Sequence, residues 1–174
     1  SHIRKKYPNV HIELLVNEGC LYQCPFKTAH DCFISMTHTG KQMSNSNPFG
    51  HINIDLGCID QLIRHPFYFF KSPFIRPEDI HEYISYVDSF KIAGRTGGYQ
   101  YVKFISQYYF NETYDQNLIF LMDSTRYLND KLYIFNDNLP SDFIKTVTTC
   151  NKDCFSCGYC ESLFNDPNIV QILN

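Results

Sequence analysis

The eight cysteines of this chain fall into two groups of four, one towards each end of its 174 residues. Their positions are Cys20, Cys24, Cys32 and Cys58 in the first group, and Cys150, Cys154, Cys157 and Cys160 in the second. Four thiolates are the usual ligand set of one tetrahedral zinc ion or one iron–sulfur cluster. The two groups therefore predict two inorganic sites.

The second group is compact, with the spacing C-x3-C-x2-C-x2-C. Cysteines at x2 spacing wrap closely around one cubane, as in bacterial ferredoxins, whereas structural zinc usually takes two C-x2-C pairs separated by a longer loop. The pattern favours a 4Fe-4S cluster, with zinc as the alternative. Its first three cysteines also match the radical S-adenosylmethionine signature, C-x3-C-x2-C. We interpret that match as accidental, because Cys160 would occupy the iron that this chemistry leaves open.

The first group is spread along the chain, which indicates ligands from several structural elements. A few buried structural thiols are the alternative for this group, and disulfides are a third interpretation of all eight cysteines. No apolar signal-like segment opens the sequence, so we expect a cytoplasmic, reducing compartment. In such a compartment clustered cysteines usually hold metal rather than form disulfides.

The composition limits the classes of partner. The formal net charge is −3 and the pI is about 6.1, which argues against a chain that binds polyanions over its whole surface. Tyrosine and phenylalanine are abundant, at 13 and 15 residues, and can fill a core. No stretch approaches the roughly 20 apolar residues of a membrane-spanning helix, so we expect no membrane partner.

The first cysteine group is positioned by elements in the first third of the chain. We predict a short buried strand over 11–17, which leads directly into Cys20. A helix over 26–36 carries Cys32. A loop over 39–53, rich in serine, asparagine and glycine, precedes the last cysteine of this group.

Strands and helices alternate further along the chain. The predicted elements are an extended segment 69–75, a helix 77–86, a strand 89–93, a turn 94–98, helices 99–110, 116–128 and 141–148, and a final turn 168–173. This alternation predicts an α/β fold of parallel βα units. A closed eight-stranded barrel needs about 250 residues, so the chain is either an open α/β layer or part of a larger barrel.

Three segments contain motifs in a fixed order: Glu13–Cys20 (ELLVNEGC), Ser72–Asp79 (SPFIRPED) and Phe90–Arg95 (FKIAGR). Together they resemble the C-terminal half of the collagenase-like peptidase family. In that family a strand ends in glycine and cysteine, further cysteines follow, and a Lys-Ile-x-Gly-Arg strand comes next. The resemblance covers roughly residues 11–110, and Lys91–Arg95 is its most specific part. One departure is Tyr22–Phe26, where the family has a Ser-Gly-Arg turn.

The resemblance implies a partial TIM-barrel-like domain, here over 1–140, that holds a 4Fe-4S cluster. The cluster ligands would be Cys20, Cys24, Cys32 and Cys58. Characterised members include RNA-hydroxylating and ubiquinone-hydroxylation proteins, which implies an oxidoreductase or hydroxylation-type modification enzyme. A missing N-terminal half or a partner chain would complete the barrel. The second cysteine group lies outside the family's common core, and we interpret 141–174 as an added cysteine-rich metal-binding module.

Polar residues follow the predicted strands, where function gathers in parallel α/β folds. We predict catalytic roles for Arg95, Lys91 and Glu18, and substrate-binding roles for Arg76, Arg95 and Asn17. Because a guanidinium suits a carboxylate or phosphate, we expect an anionic small molecule or RNA as substrate. The alternative is that Arg95 forms a structural ion pair with Glu13 or Glu18.

Two other functions stay open from the sequence. One is an electron-transfer or structural cluster-bearing module without catalysis of its own. The other is a collagenase-like cysteine-type peptidase, which needs a thiolate and a nearby base. Cys32 and His30 are the candidates for that pair. A cysteine that ligates a cluster would not serve as the nucleophile.

Overall fold

The computed structural model describes residues 2–38 and 57–173. The loop predicted over 39–53 lies outside the described residues. The chain divides into two compact units, unit 1 (Ser1–Gly19 and Pro73–Asn174) and unit 2 (Cys20–Ser72). Residues 141–173 belong to the same unit as the residues that precede them, and the division at residue 140 stays a prediction.

The regular elements are short, and several helices are single turns. The described α-helices are α1 (His2–Lys6), α2 (Lys27–His38), α3 (Cys58–Arg64), α4 (Gly98–Asn111), α5 (Leu118–Leu121), α6 (Phe143–Thr149), α7 (Cys154–Cys157) and α8 (Tyr159–Phe164). The described strands are β1 (Glu13–Leu15), β2 (Ser89–Lys91), β3 (Leu132–Ile134) and β4 (Val170–Ile172). The 3₁₀ helices are Pro66–Lys71, Pro77–Glu82, Arg95–Gly97, Asp123–Leu128 and Asn136–Asn138.

Strands β1 and β2 form a parallel pair inside the two strands predicted from sequence. Leu14 lies opposite Phe90, and the Val16 amide extends the ladder by donating to the Lys91 carbonyl at 3.0 Å. The carboxyl ends of both strands therefore lie at the same edge of this small sheet. The barrel-like architecture stays a prediction, because two strands do not define a barrel.

Strands β3 and β4 form an antiparallel pair that the sequence analysis missed. Leu132 lies opposite Ile172, and Ile134 lies opposite Val170. The final helical turn predicted over 168–173 is therefore wrong. The physical reason is tertiary pairing: Leu132, Ile134 and Val170 are buried, and each strand is too short for a period of two to be visible in the sequence.

Helix α4 supplies one face of the core of unit 1, as its sequence pattern predicts. Tyr101, Ile105 and Tyr109 recur every four residues, and all three are buried. The Tyr109 hydroxyl donates to the Ile75 carbonyl at 2.9 Å, which ties the helix to the segment before the 3₁₀ helix Pro77–Glu82. This helix matches the predicted range 99–110 to within one residue.

Three further predicted elements differ from the structure. Residues 69–71 end a 3₁₀ helix that begins at Pro66, rather than forming an extended segment. The helix predicted over 77–86 is a 3₁₀ helix that ends at Glu82. The helix predicted over 116–128 breaks at Met122, which has extended backbone angles (φ −87°, ψ 123°).

The break at Met122 has a tertiary cause. The amide of Asp123 donates to the backbone carbonyl of Asn17 at 3.1 Å, instead of donating back into the preceding helix. Pairing with the end of β1 thus overrides the local helical preference. Within residues 2–38 and 57–173, no helix has the length and apolar character needed to cross a bilayer.

Candidate functional site

Asn17 joins the carboxyl ends of both parallel strands. Its side chain is fully buried, its amide donates to the carbonyls of Ala93 (2.9 Å) and Leu121 (3.3 Å), and its Oδ1 accepts from the Ala93 amide (2.7 Å). This geometry makes Asn17 a positioning residue for β1, β2 and α5. The substrate-binding role predicted for it would require these hydrogen bonds to break. Glu18 follows it and is half-buried.

Arg76 is buried in an ion pair within its own segment. Its guanidinium donates from Nε to Asp79 Oδ2 (2.6 Å) and from Nη2 to Asp79 Oδ1 (3.0 Å). A third, longer bond reaches the Asn136 carbonyl at 3.4 Å, and the Phe143 ring lies 5.5 Å away. Each guanidinium nitrogen thus has a protein acceptor. The predicted substrate-binding role would require Arg76 to leave these partners, and it stays a prediction.

Lys91 and Arg95 remain accessible at the end of β2. Lys91 Nζ lies 3.7 Å from Glu13 Oε1 across the parallel pair, and both side chains are at least half exposed. Glu13 therefore pairs with Lys91, and no ion pair joins Arg95 to an acidic side chain in the described part of the chain. Arg95 begins the 3₁₀ helix Arg95–Gly97 and is exposed. Of these two accessible cations, Lys91 pairs with Glu13, whereas Arg95 has no acidic partner among the described residues.

A second arginine lies at the same sheet edge, and sequence reasoning missed it. The Arg126 guanidinium stands 4.0 Å from the centroid of the Tyr101 ring and pairs with Asp123 at 3.2 Å. Side chains of both charged residues are about three-quarters buried, at 27% and 28% exposure. A Cβ atom placed on Gly97 would lie 2.5 Å from Arg126 Nη1. The guanidinium therefore packs against the turn that follows β2.

The local sequence carries a weak signal for this group. Asp123 and Arg126 are three residues apart, the spacing of a helical ion pair. Their contact with Tyr101 joins segments that are distant in sequence, so no local pattern could have found it. Tyr101 itself donates its hydroxyl to the Leu121 carbonyl at 3.1 Å, and burial raises its pKa above the usual value.

All four cysteines of the first group lie in unit 2. Cys20, Cys24 and Cys58 are half-buried, and Cys32 is exposed on α2. Burial raises the pKa of the Cys58 thiol, and the nearby Cys24 raises it further.

All four cysteines of the second group lie in unit 1. Cys154 and Cys157 are the first and last residues of the single turn α7 and are exposed, while Cys150 and Cys160 flank it and are half-buried. The pKa of the Cys150 thiol is lowered: partial burial raises it, but hydrogen bonds and charge from Lys152 outweigh that effect. The side chain of Lys152 also donates to the Val147 carbonyl at 2.7 Å.

None of the eight cysteines, all of which lie in the described residues, is in a disulfide. In the same residues no three or more His, Cys, Asp or Glu side chains are gathered in the arrangement that holds a metal ion. The iron–sulfur clusters predicted for both groups, and zinc as the alternative for the second, therefore stay predictions.

Comparison of the sequence with known proteins identifies a relative. A protein of Methanocaldococcus jannaschii that is named an uncharacterized protease is 38% identical to this chain over 152 residues. The aligned region covers 87% of this chain and 44% of that protein, so the chain spans less than half the length of this relative. No protein-family model matches the chain, and no solved structure matches it significantly.

Proposed function

We propose that this chain is a segment of a protein of the collagenase-like peptidase family. The similarity to a longer protein that is named a protease supports this proposal, since it extends over 87% of the chain. The family-like segments Glu13–Cys20 and Phe90–Arg95 contribute the two parallel strands β1 and β2, which is further support.

The partial barrel belongs to the same proposal. Parallel sheets are ordinarily larger than two strands and are covered by helices on both faces. The relative has more than twice the aligned length, which leaves room for further strands. We propose that those strands come from polypeptide outside this sequence, either in the same protein or in a partner chain.

Peptidase activity is the candidate that the comparison supports better than iron–sulfur redox chemistry, because the relative is named a protease. A cysteine peptidase needs a thiolate within hydrogen-bond reach of a base. His30 and Cys32 both lie in α2, and side chains two residues apart on a helix do not face each other. The peptidase candidate therefore needs a base other than His30.

Metal binding by the cysteines is the second candidate, proposed from the number and exposure of the thiols, since no three of them are gathered as a metal site in the described residues. A single observation carries it: none of the eight thiols is buried or oxidised to a disulfide. Free cysteine is among the most buried residue types, so eight unburied thiols in two groups are not explained by packing. Four accessible thiols also fit the donor set of one cluster. Buried structural thiols, the alternative for the first group, are not supported.

We propose a 4Fe-4S cluster at each group, with zinc as the alternative at the second. Such clusters would supply redox chemistry for an oxidoreductase or a hydroxylation-type modification enzyme. The alternative without catalysis is a protein that only transfers electrons or that uses the cluster structurally. For a catalytic protein, the accessible guanidinium of Arg95 would bind an anionic small molecule or RNA. Lys91 lies in the same strand β2, and Glu18 follows the paired strand β1.

The experiment is anaerobic purification of this chain, followed by iron, sulfide and zinc analysis with absorption and EPR spectra. Two 4Fe-4S clusters would give about eight irons per chain, and one cluster about four. Zinc alone would exclude the redox candidate. Replacing the four cysteines of one group with serine, and separately those of the other group, assigns the metal to its site.

The same preparations distinguish the peptidase candidate. Hydrolysis of unstructured collagen-derived peptides is measured with the wild-type chain, with each four-serine variant, and with the longer relative as the reference. Peptide cleavage that survives loss of all bound metal and stops on thiol alkylation would favour a cysteine peptidase. Absence of cleavage by the metal-loaded chain and by the relative would exclude it.

A further inference from the structure

Arg126 is held in one place by three different parts of unit 1. Its guanidinium lies 4.0 Å from the centroid of the Tyr101 ring, and its Nη2 donates to Asp123 Oδ1 at 3.2 Å. The Tyr101 ring is itself fixed, because it is buried and its hydroxyl donates to the Leu121 carbonyl. The third contact is with Gly97, in the turn that follows β2. A guanidinium held in this way loses little side-chain freedom when it binds a ligand.

Gly97 is required by the guanidinium rather than by the backbone. Its φ of −79° and ψ of −5° are angles that residues other than glycine also adopt in turns. A Cβ atom at this position would nevertheless lie 2.5 Å from Arg126 Nη1 and 2.7 Å from Tyr101 Cδ1. The absence of a side chain therefore lets the guanidinium pack against the turn. At the next residue, Gly98, a Cβ atom would meet nothing within 4 Å, so the turn is open on that side.

The Nη1 group of Arg126 has no hydrogen-bond acceptor among the described residues. The hydrogen bonds of this guanidinium come from Nε and Nη2, and both go to Asp123. Among the described side chains, the buried nitrogen and oxygen atoms that lack a partner do not include this nitrogen, so it is in contact with solvent. A ligand can therefore reach Nη1 without displacing a protein group.

Arg76 shows how an arginine of the same unit is satisfied when protein groups contact all of its nitrogens. Its Nε and Nη2 donate to the two carboxylate oxygens of Asp79, and its Nη1 donates to the Asn136 carbonyl. Arg126 instead contacts one carboxylate oxygen of Asp123 and keeps one nitrogen without an acceptor, although its side chain is only 27% exposed. An ion pair alone does not account for this arrangement.

A second guanidinium belongs to the same turn. Arg95 is the first residue and Gly97 the last residue of a three-residue 3₁₀ helix, so both lie on one helical turn. Arg95 is exposed, and it forms no ion pair with an acidic side chain among the described residues. One fixed arginine and one exposed, flexible arginine therefore flank the turn 94–98.

The charges at this turn favour a ligand group with a single negative charge. Arg95 and Arg126 are both positive, and Asp123 neutralises one of them. Lys91, at the end of β2, is paired with Glu13. A carboxylate is a monoanion that fits the planar fork of a guanidinium, whereas a phosphate monoester is close to a dianion at neutral pH. One positive turn on a chain of net charge −3 also does not match a polyanion such as RNA.

We propose that the turn 94–98 binds the carboxylate group of a small ligand, with Arg126 Nη1 as the fixed donor and Arg95 as the flexible one. This inference rests on the anionic ligand proposed above for Arg95, and it adds the residue that orients that ligand. Tyr101 and Gly97 are positioning residues, because they act through the Arg126 guanidinium.

The test is a titration of the ¹⁵N-labelled full chain at constant ionic strength, followed by NMR. The signals are the backbone amides of Gly97 and Gly98 and the Nε–Hε groups of Arg126 and Arg95. The probe is N-acetylglycine, and N-acetylglycinamide is the matched probe without the charge. We expect saturable shifts of all four signals with N-acetylglycine and none with the amide.

Arg126→Lys should weaken N-acetylglycine binding by about tenfold or more, because lysine offers a point charge in place of the planar fork. The matched control is Arg64→Lys, which changes an exposed arginine outside the turn and should leave binding unchanged. The backbone amides of Ile105 and Tyr109, buried residues of α4, show whether each variant is folded. If Arg126→Lys does not fold, the Nε–Hε signal of Arg126 in the wild-type chain decides: saturable movement supports the inference, and an unchanged signal disproves it.

The other outcomes separate this inference from the proposal on which it rests. If Arg95→Ala abolishes binding and folded Arg126→Lys does not weaken it, the role of Arg126 is disproved and anion binding by Arg95 stands. If methyl phosphate or dimethyl phosphate binds more tightly than N-acetylglycine, the carboxylate assignment is disproved. If none of the three anions causes a saturable shift, both the inference and anion binding by Arg95 are disproved.

Discussion

Arg76 and Asp79 form a two-point ion pair in the interior of unit 1, with both side chains 7% exposed. Removal of one partner from such a pair leaves an unpaired buried charge, which typically costs about 3–5 kcal/mol. The sequence analysis selected Arg76 as a substrate ligand because it follows an extended segment. Its partner lies only three residues away, in the 3₁₀ helix that Pro77 begins.

Arg76→Ala should therefore lower the free energy of unfolding by about 3–5 kcal/mol. The matched control is Arg64→Ala, because Arg64 is 68% exposed and its pair with Asp60 is superficial. Chemical denaturation monitored by circular dichroism measures both variants. A change in ligand affinity at unchanged stability would instead support the substrate-binding role predicted for Arg76.

Asn17→Ala should destabilise unit 1, since it removes one side chain that serves three backbone groups. Each buried group left without a partner costs about 1–3 kcal/mol. Asn151→Ala is the control, because Asn151 makes a single exposed hydrogen bond to the Asp153 amide. Thermal unfolding of both variants tests this, and equal melting temperatures would contradict the role of Asn17 at the strand ends.

Gly94 has a φ of 131°, and a Cβ at this position would clash with Tyr101 Cε1. Gly94→Ala should therefore lower the free energy of unfolding for two reasons. Backbone strain is the first, and overpacking against Tyr101 adds about 1–3 kcal/mol. Gly98→Ala isolates that difference: Gly98 also has a positive φ, of 78°, but its Cβ would meet no atom within 4 Å. The denaturant midpoints of the two variants measure this difference in stability.

Stability should fall in alkali because of three buried tyrosines. Burial raises the pKa values of Tyr101, Tyr109 and Tyr114 above the usual value of about 10. A raised pKa in the folded state stabilises the fold below about pH 10, and this contribution is lost as the pH rises further. Tyrosinate absorbance should show these three phenols ionising only with unfolding. A single titration near pH 10 in the folded chain would contradict this.

Arg95→Ala should reduce activity without changing metal content or stability, because the side chain is exposed and pairs with no acidic group among the described residues. We expect at least a tenfold loss in kcat/KM for an anionic substrate. Lys103→Ala removes another exposed cation, on α4, and serves as the control for net charge. Full activity and full metal content in Arg95→Ala would remove Arg95 from the candidate site.

The sequence predicted those elements whose signal lies within one segment. The stripe of Tyr101, Ile105 and Tyr109 is complete within α4, and the apolar run before Cys20 contains β1. The β3–β4 pair and the break at Met122 depend on partners that are distant in the chain, so local patterns could not indicate them. The same holds for the candidate site: Arg95 is the last residue of a sequence motif, whereas Arg126 is placed there by its contact with Tyr101, which is distant in the chain.

The strand pairs also determine how the cysteines are enclosed. β1 and β2 join the two ends of a segment that contains the whole first group, and β3 and β4 do the same for the second group. When the ends of a loop are already held together, much of the entropy cost of closing the loop is incurred before any ligand binds. Each strand pair thus raises the effective concentration of four thiols around one another. The scaffold and the metal chemistry would then reinforce each other, although no strand residue is itself a ligand.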